Sequence, residues 1–378
     1  MSSAAPPRLI AYYLPQFHPI PENDAWWGLG FTEWTNVAKA RTLFKGHYQP
    51  HIPADLGFYD LRLPEARLAQ AELARQHGIE GFCYWHYWFA GKRLLERPFN
   101  DVLRSGEPDF PFCLAWSNQT WSGIWHGAPE RVLIEQTYPG REDHTAHFDV
   151  LLPAFLDQRY IRVDGKPVFF VFQPARLDRE MVEVWRSLAD QAGLKGLFLV
   201  GIINTTEEGL RIHQMGFDAC TISRTSGRGS HKNLLIKLLL RLAGEARVMQ
   251  VYQRLLQRPF RVYPYRHTHP YVAPDGETGL EFFPCVIPNW DNTPRAGVNG
   301  IVFTHSTPAL FQRNLRLAVQ RVQDYPPQHR IIVLKSWNEW AEGNHLEPDL
   351  KFGRGYLEAI RAEMANFDSC LEHEERLE

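Results

Sequence analysis

Short runs of buried-type apolar residues alternate along this chain with longer segments in which apolar positions recur every three or four residues. Parallel βα units produce this pattern, because their strands are covered on both faces and their helices on one. The candidate strands are Leu9 to Leu14, Gly81 to Trp85, Phe112 to Trp116, Val168 to Phe172, Leu197 to Ile202, Ala219 to Ser223, Phe282 to Ile287 and Ile331 to Leu334. Pro64 to His77 reads as a helix with proline in its first turn and Gly78 just past its end, and Pro308 to Gln323 and Arg179 to Ala192 repeat the helical spacing. Eight strands alternating with helices predict an α/β fold, a single (β/α)8 TIM barrel with elaborated βα loops. The barrel is placed at residues 8–365, with a disordered N-terminus at 1–7 and a loose acidic tail at 366–378. From His231 to Pro259 six basic residues oppose one acid and leucines recur at helical spacing, which predicts a basic helical insertion at about 230–260. Such a helix either covers the barrel with a solvated basic face or lies on an anionic membrane surface, which would suit a lipid-linked glycan.

The chain has 378 residues, 44% of them apolar, enough for a large core. Forty-one basic against 43 acidic side chains give a net charge of −2, which excludes a nucleic-acid partner and points to an uncharged or weakly charged substrate. Twelve tryptophans are many for this length. Indole faces stack on pyranose C–H faces while their N–H groups reach hydroxyls, so part of this set is expected to line a cleft and part to fill the core. Five cysteines without a CxxC pair fit a reduced compartment. With no leader-like N-terminus and no run long enough to span a bilayer, a cytoplasmic protein is expected.

The densest chemistry follows the last strand, at Ser336-Trp337-Asn338-Glu339-Trp340-Ala341-Glu342-Gly343. A short helical turn there would put Glu339 and Glu342 on one face, about 5 to 6 Å apart at Cβ. Retaining glycosidases work with carboxyls about 5 to 5.5 Å apart, the donor's pKa raised by a dry wall that tryptophans could supply. A solvated loop pair is the plain alternative. Polar and aromatic residues also gather after the other strands, where barrel enzymes build their sites. The residues assigned to a sugar are Tyr13, His18, Trp26, Glu33, Trp34, Tyr84, His86, Trp116, Asn118, Trp290, Trp337 and Asn338, with Glu339 and Glu342 catalytic. No cofactor or metal is assigned: the chain has no Asp-x-Asp, no HExxH, no GxGxxG and no P-loop.

Tyr12-Tyr13-Leu14-Pro15-Gln16-Phe17-His18, Gly30-Phe31-Thr32-Glu33-Trp34 and the run from Trp337 through His345-Leu346-Glu347-Pro348 to Asp349 resemble the WbsX-like family, from about Arg8 to Ala365. Its members are labelled lipopolysaccharide-biosynthesis glycosyltransferases, and their domain looks like that of the glycoside hydrolase family 99 endo-α-mannosidases and mannanases, metal-free retaining barrels. The resemblance implies Glu342 as general acid/base and Glu339 as a base on the sugar 2-hydroxyl, through a 1,2-anhydro intermediate. It departs at Ala341, where the mannosidases commonly carry histidine. The expected activity is a retaining hydrolase or transglycosylase on an α-linked glycan of bacterial surface polysaccharide. A glycosyltransferase of O-antigen synthesis and a non-catalytic glycan-binding protein are the alternatives.

Overall fold

The computed structural model describes residues 5–123, 128–222, 245–267 and 278–375, and the side chains of these apart from 128–130, 245–247 and 368–375. Seven strands of its main sheet are β1 (Arg8–Tyr13), β2 (Gly81–His86), β3 (Phe112–Trp116), β4 (Lys166–Val171), β5 (Phe198–Ile202), β6 (Ala219–Thr221) and β8 (Ile331–Leu334). Strand β7 comes in two pieces, Glu281–Phe283 and Cys285–Val286, divided at Pro284. The first piece pairs in parallel with β6, in register Ala219↔Glu281, and the second with β8, in register Cys285↔Val333. One strand thus joins the two edges of the sheet. The break sits at the residue that has no N–H to give to a ladder, while the Pro284 carbonyl still accepts from the Val333 amide at 2.9 Å. The remaining neighbours, β8-β1-β2-β3-β4-β5-β6, are all parallel, so the fold is the expected TIM barrel.

Helices follow the strands: α1 (Pro64–Arg75), α2 (Arg97–Ser105), α3 (Arg141–Leu156), α4 (Arg179–Gln191), α5 (Thr206–Gln214), α6 (Glu245–Leu256), α7 (Pro308–Val322) and α8 (Gly355–Glu375). Their starts are set by side chains. Asp178, Thr205 and Thr307 accept from the amides of Met181, Glu208 and Leu310, and α1 and α7 carry proline in the first turn. Gly81 is required where β2 meets the segment before β3, because a Cβ there would collide with the Pro111 carbonyl oxygen.

Successive strand residues face opposite sides. Tyr12 turns into the barrel and stacks on Trp85 at 4.9 Å, whereas Tyr13 turns outward to Gln70 on α1. Among the described residues no helix is long and apolar enough to cross a membrane. Two boundary expectations change. Residues 1–4 lie outside the described residues, but the expected disorder does not extend to 7: Pro7 is buried and the Ala5 carbonyl accepts from Arg330 Nη1 at 2.7 Å. The tail from 366 continues as helix to Glu375, an extension of α8, whose Met364 and Phe367 pack on the core. Of the basic stretch, Lys232, Lys237 and Arg241 lie outside the described residues. Its second half forms α6, which buries Gln253 and exposes Val251, Leu255 and Leu256.

Candidate functional site

Beyond β8 the chain makes a single 3-10 turn, Trp340–Glu342, with Glu339 at its N-cap and Gly343 at its end. Gly343 has φ of +62°, and a Cβ there would lie 3.0 Å from Asp291 Cβ, so both conformation and space call for glycine. The turn brings the two glutamates to one cation. Arg295 Nη1 donates to Glu342 Oε1 at 2.6 Å and to Glu339 Oε1 at 3.4 Å. Oxygens sharing one nitrogen lie no farther apart than those distances combined, a bound that includes the roughly 5 to 5.5 Å of retaining carboxyl pairs. The other end of the guanidinium donates to Glu33 Oε1 at 2.7 Å, and the Ala341 amide donates to the same oxygen at 3.0 Å. Glu339 and Glu342 keep 8% and 7% of their surface and Glu33 none. Ser336 Oγ donates to Glu339 Oε2 at 3.1 Å.

Burial, then the charge of Glu339, pushes the Glu342 carboxyl up to about 7, against the opposing pull of Arg295 and Lys335. Burial also raises Glu33, with Arg295 opposing. The guanidinium pKa is driven up: burial alone would lower it, and the charges of Glu33, Glu342 and Glu339 outweigh that. Of the carboxyls around Arg295, Glu342 is thus placed to carry a proton as pH approaches neutrality from below.

A second layer fixes the turn. Asn338, fully buried, accepts from the Leu14 amide at 2.7 Å and donates to the Leu14 carbonyl at 3.0 Å, tying the end of β1 to the segment after β8. Glu347 accepts from Trp340 Nε1 at 2.6 Å, Tyr59 Oη at 2.8 Å and Gln70 Nε2 at 2.6 Å. Asp291 receives the His47 Nε2 and Gln49 Nε2 donors on one oxygen and Thr293 on the other, while its amide donates to the Glu342 carbonyl at 2.7 Å. Burial would raise the Asp291 carboxyl, but His47, Thr293 and Gln49 carry it below its usual value.

The residues assigned to a sugar from sequence separate into groups. Tyr13, Tyr84, His86 and Trp116 occupy outward strand positions, buried between sheet and helices: Tyr13 donates to Gln70, Tyr84 packs on Phe99, His86 Nε2 lies 2.8 Å from His147 Nε2, and Trp116 Nε1 donates to the Trp88 carbonyl. Asn118 latches the β3 and β4 loops through both backbone groups of Gln173. His18 hydrogen-bonds the Pro15 carbonyl, Trp34 donates to the Tyr59 carbonyl, and Trp337 is wholly buried against Phe82. Glu33 meets Arg295. Trp26 and Trp290 stay partly open, Trp26 edge-on to Trp121 at 5.9 Å and Trp290 beneath Lys335 Nζ at 4.6 Å. The Trp290 Nε1 donor is buried without a partner among the described residues.

Sequence reading missed Arg295, which stands 44 residues before Glu339 on a four-residue helix, Thr293–Ala296, where nothing in the local pattern marks it. It also missed Lys335, whose charge acts on Glu342. Lys335 follows a candidate strand by one residue, a signal that could have found it.

The profile described as Glycosyltransferase WbsX matches residues 9–360. Two curated relatives, each named Uncharacterized protein WxcX and both from Xanthomonas campestris pv. campestris, strains B100 and ATCC 33913, are 36% identical over 94% of this chain. The chain spans about half the length of these relatives, 49% of each. Among solved structures, a glycoside hydrolase-like protein superposes with a TM-score of 0.58 at 16% identity, covering 95% of this chain and 94% of its own. The GH99 endo-alpha-mannosidase from Bacteroides thetaiotaomicron gives 0.58 at 13% identity, over 97% of this chain and 98% of its own. At those identities the likeness is one of fold.

Proposed function

The chain belongs to the WbsX glycosyltransferase family, and from that premise we propose that it is a carbohydrate-active barrel enzyme that cleaves or transfers an α-linked glycan of bacterial surface polysaccharide with retention. The observation that supports this most is one guanidinium nitrogen within hydrogen-bonding distance of both Glu339 and Glu342, which are themselves almost fully buried. In this reading protonated Glu342 gives its proton to the leaving glycosidic oxygen as the C1–O bond breaks. Glu339 takes the proton of the 2-hydroxyl while that oxygen closes on C1; water or an acceptor hydroxyl then attacks C1 and gives its proton to Glu342, the C1–O2 bond breaks, and O2 takes its proton back from Glu339. Direct attack of Glu339 on C1 would give the same stereochemistry. Trp290 offers an unpaired indole N–H, and Trp26 and Trp121 offer partly open faces at the same end of the barrel. At position 341 the alanine is buried and its amide holds Glu33, so a histidine-dependent substrate preference does not carry over.

The family's name favours a second reading, transfer from an activated donor. Proton NMR of the chain with purified O-polysaccharides and aryl α-glycosides, with and without nucleotide-sugar donors, distinguishes them. A donor-free product released first as the α-anomer supports the retaining reading. Product that forms only with donor supports transfer, and inversion rules out the two-glutamate scheme.

A further inference from the structure

On the far side of the Trp340–Glu342 turn lies a cavity of about 80 Å³ between the loop after β1 and the segment after β8, and Asp291 and Gly343 form its wall toward the glutamates. His51, His345 and Asp349 line it, with only 3%, 4% and 3% of their surface exposed. One nitrogen of each ring and one oxygen of Asp349 lie within 4.8 Å of one another. His51 Nδ1 is 2.8 Å from His345 Nε2, and His345 Nε2 is 4.0 Å from Asp349 Oδ2.

The donors are prepared as ligands. His345 Nδ1 donates to the Glu347 carbonyl at 2.9 Å, which fixes the tautomer and leaves the lone pair on Nε2, the arrangement that orients metal-binding imidazoles. The Lys351 and Phe352 amides, at 3.0 and 2.6 Å, hold Asp349 by Oδ1 and leave Oδ2 turned toward the histidine. His51 Nε2 is buried with no hydrogen-bond partner among the described residues. The charges facing His51 include Asp291 and Asp349 in favour of a cation and Lys351 against it.

We propose that His51, His345 and Asp349 bind one divalent first-row transition-metal ion, joining the loop after β1 to the segment after β8. Two imidazoles and one carboxylate select such an ion over calcium or magnesium, which take oxygen ligands. Metal–ligand distances of about 2.0 to 2.2 Å set neighbouring ligand atoms about 3 to 3.5 Å apart, between the 2.8 and 4.0 Å separations seen here. Three protein ligands leave a coordination position facing the cavity. The site is separate from the glutamate pair, and its test does not depend on activity.

The full chain, stripped with chelator, is titrated with zinc while an indicator reports free metal, and with cobalt(II) while its visible ligand-field band is recorded. One equivalent should bind with a tetrahedral or five-coordinate cobalt spectrum, and His345→Gln and Asp349→Asn should each weaken zinc binding at least about 10-fold. Asp349→Asn keeps the oxygen that accepts from Lys351 and Phe352, so it should retain the metal-free Tm of the wild type and separate ligand loss from misfolding. Absence of zinc binding by the wild type, or equal zinc affinity in a folded Asp349→Asn, overturns the proposal.

Discussion

Arg295 gives one guanidinium to three carboxyl groups, Glu33, Glu339 and Glu342, so it can balance only one of their negative charges. Burial and the charge of Glu339 raise Glu342 to about 7 against the pull of Arg295 and Lys335, which places it as the acid. The basic limb of kcat/KM is therefore expected near pH 7, activity falling as Glu342 loses its proton. Removing the arginine removes an influence that lowers the Glu342 pKa, so in Arg295→Met that limb should move to higher pH. The same change leaves Glu33 buried without its cation and should reduce stability by about 3 to 5 kcal/mol, with Arg295→Lys recovering part of it. Denaturant unfolding and pH–rate profiles of the two variants check both effects. An unmoved limb in a folded Arg295→Met would separate the arginine from the acid.

The 3-10 turn after β8 is held by Gly343, Asn338 and Glu347, each by a different means: positive φ, a two-sided backbone latch, and three converging donors. Gly343→Ala should cost about 1 to 2 kcal/mol from the left-handed backbone alone, more if Asp291 must shift. Asn338→Ala should cost about 1 to 3 kcal/mol, because the Leu14 amide and carbonyl are left buried and unpaired. Thermal unfolding reads both. The strands were legible in the sequence because parallel strands covered on both faces are written as plain apolar runs, and five of the eight observed strands agree with those runs at one end or both. The period of two then misdirects the eye. Tyr13, Tyr84, His86 and Trp116 are aromatic or polar at strand ends and read as mouth residues, yet their parity turns them outward into the helix layer, while Tyr12 and Trp85 face in. A run of letters shows which residues are buried but not on which side. The glutamates were legible because they lie together in the chain, and Arg295 was not, because only barrel closure brings the loop after β7 beside the turn after β8.

Across the whole molecule, buried ionisable groups pull stability in opposite directions with pH. Glu342 and Glu347 are raised from 4.5 to about 7, so their contribution is fully present below about pH 4.5 and is lost as pH rises through 7. His51, His86 and His147 are depressed below 6.5, so their contribution is present above that value and is lost as pH falls toward their folded values. In Glu347→Gln only the first influence is reduced, so the Tm gap between wild type and this variant should be wider at pH 5.5 than at pH 8. An equal gap at both would mean that Glu347 is ionised throughout. Loops from both ends of the chain converge on the pocket where Arg295 holds its glutamates, and the most direct measurement is kcat for the wild type, Glu339→Gln and Glu342→Gln on a glycan that the wild type turns over. Each substitution is expected to lower kcat by about 100-fold or more, with the fold and Tm retained. Wild-type kcat in both variants would contradict the assignment of the chemistry to this pair.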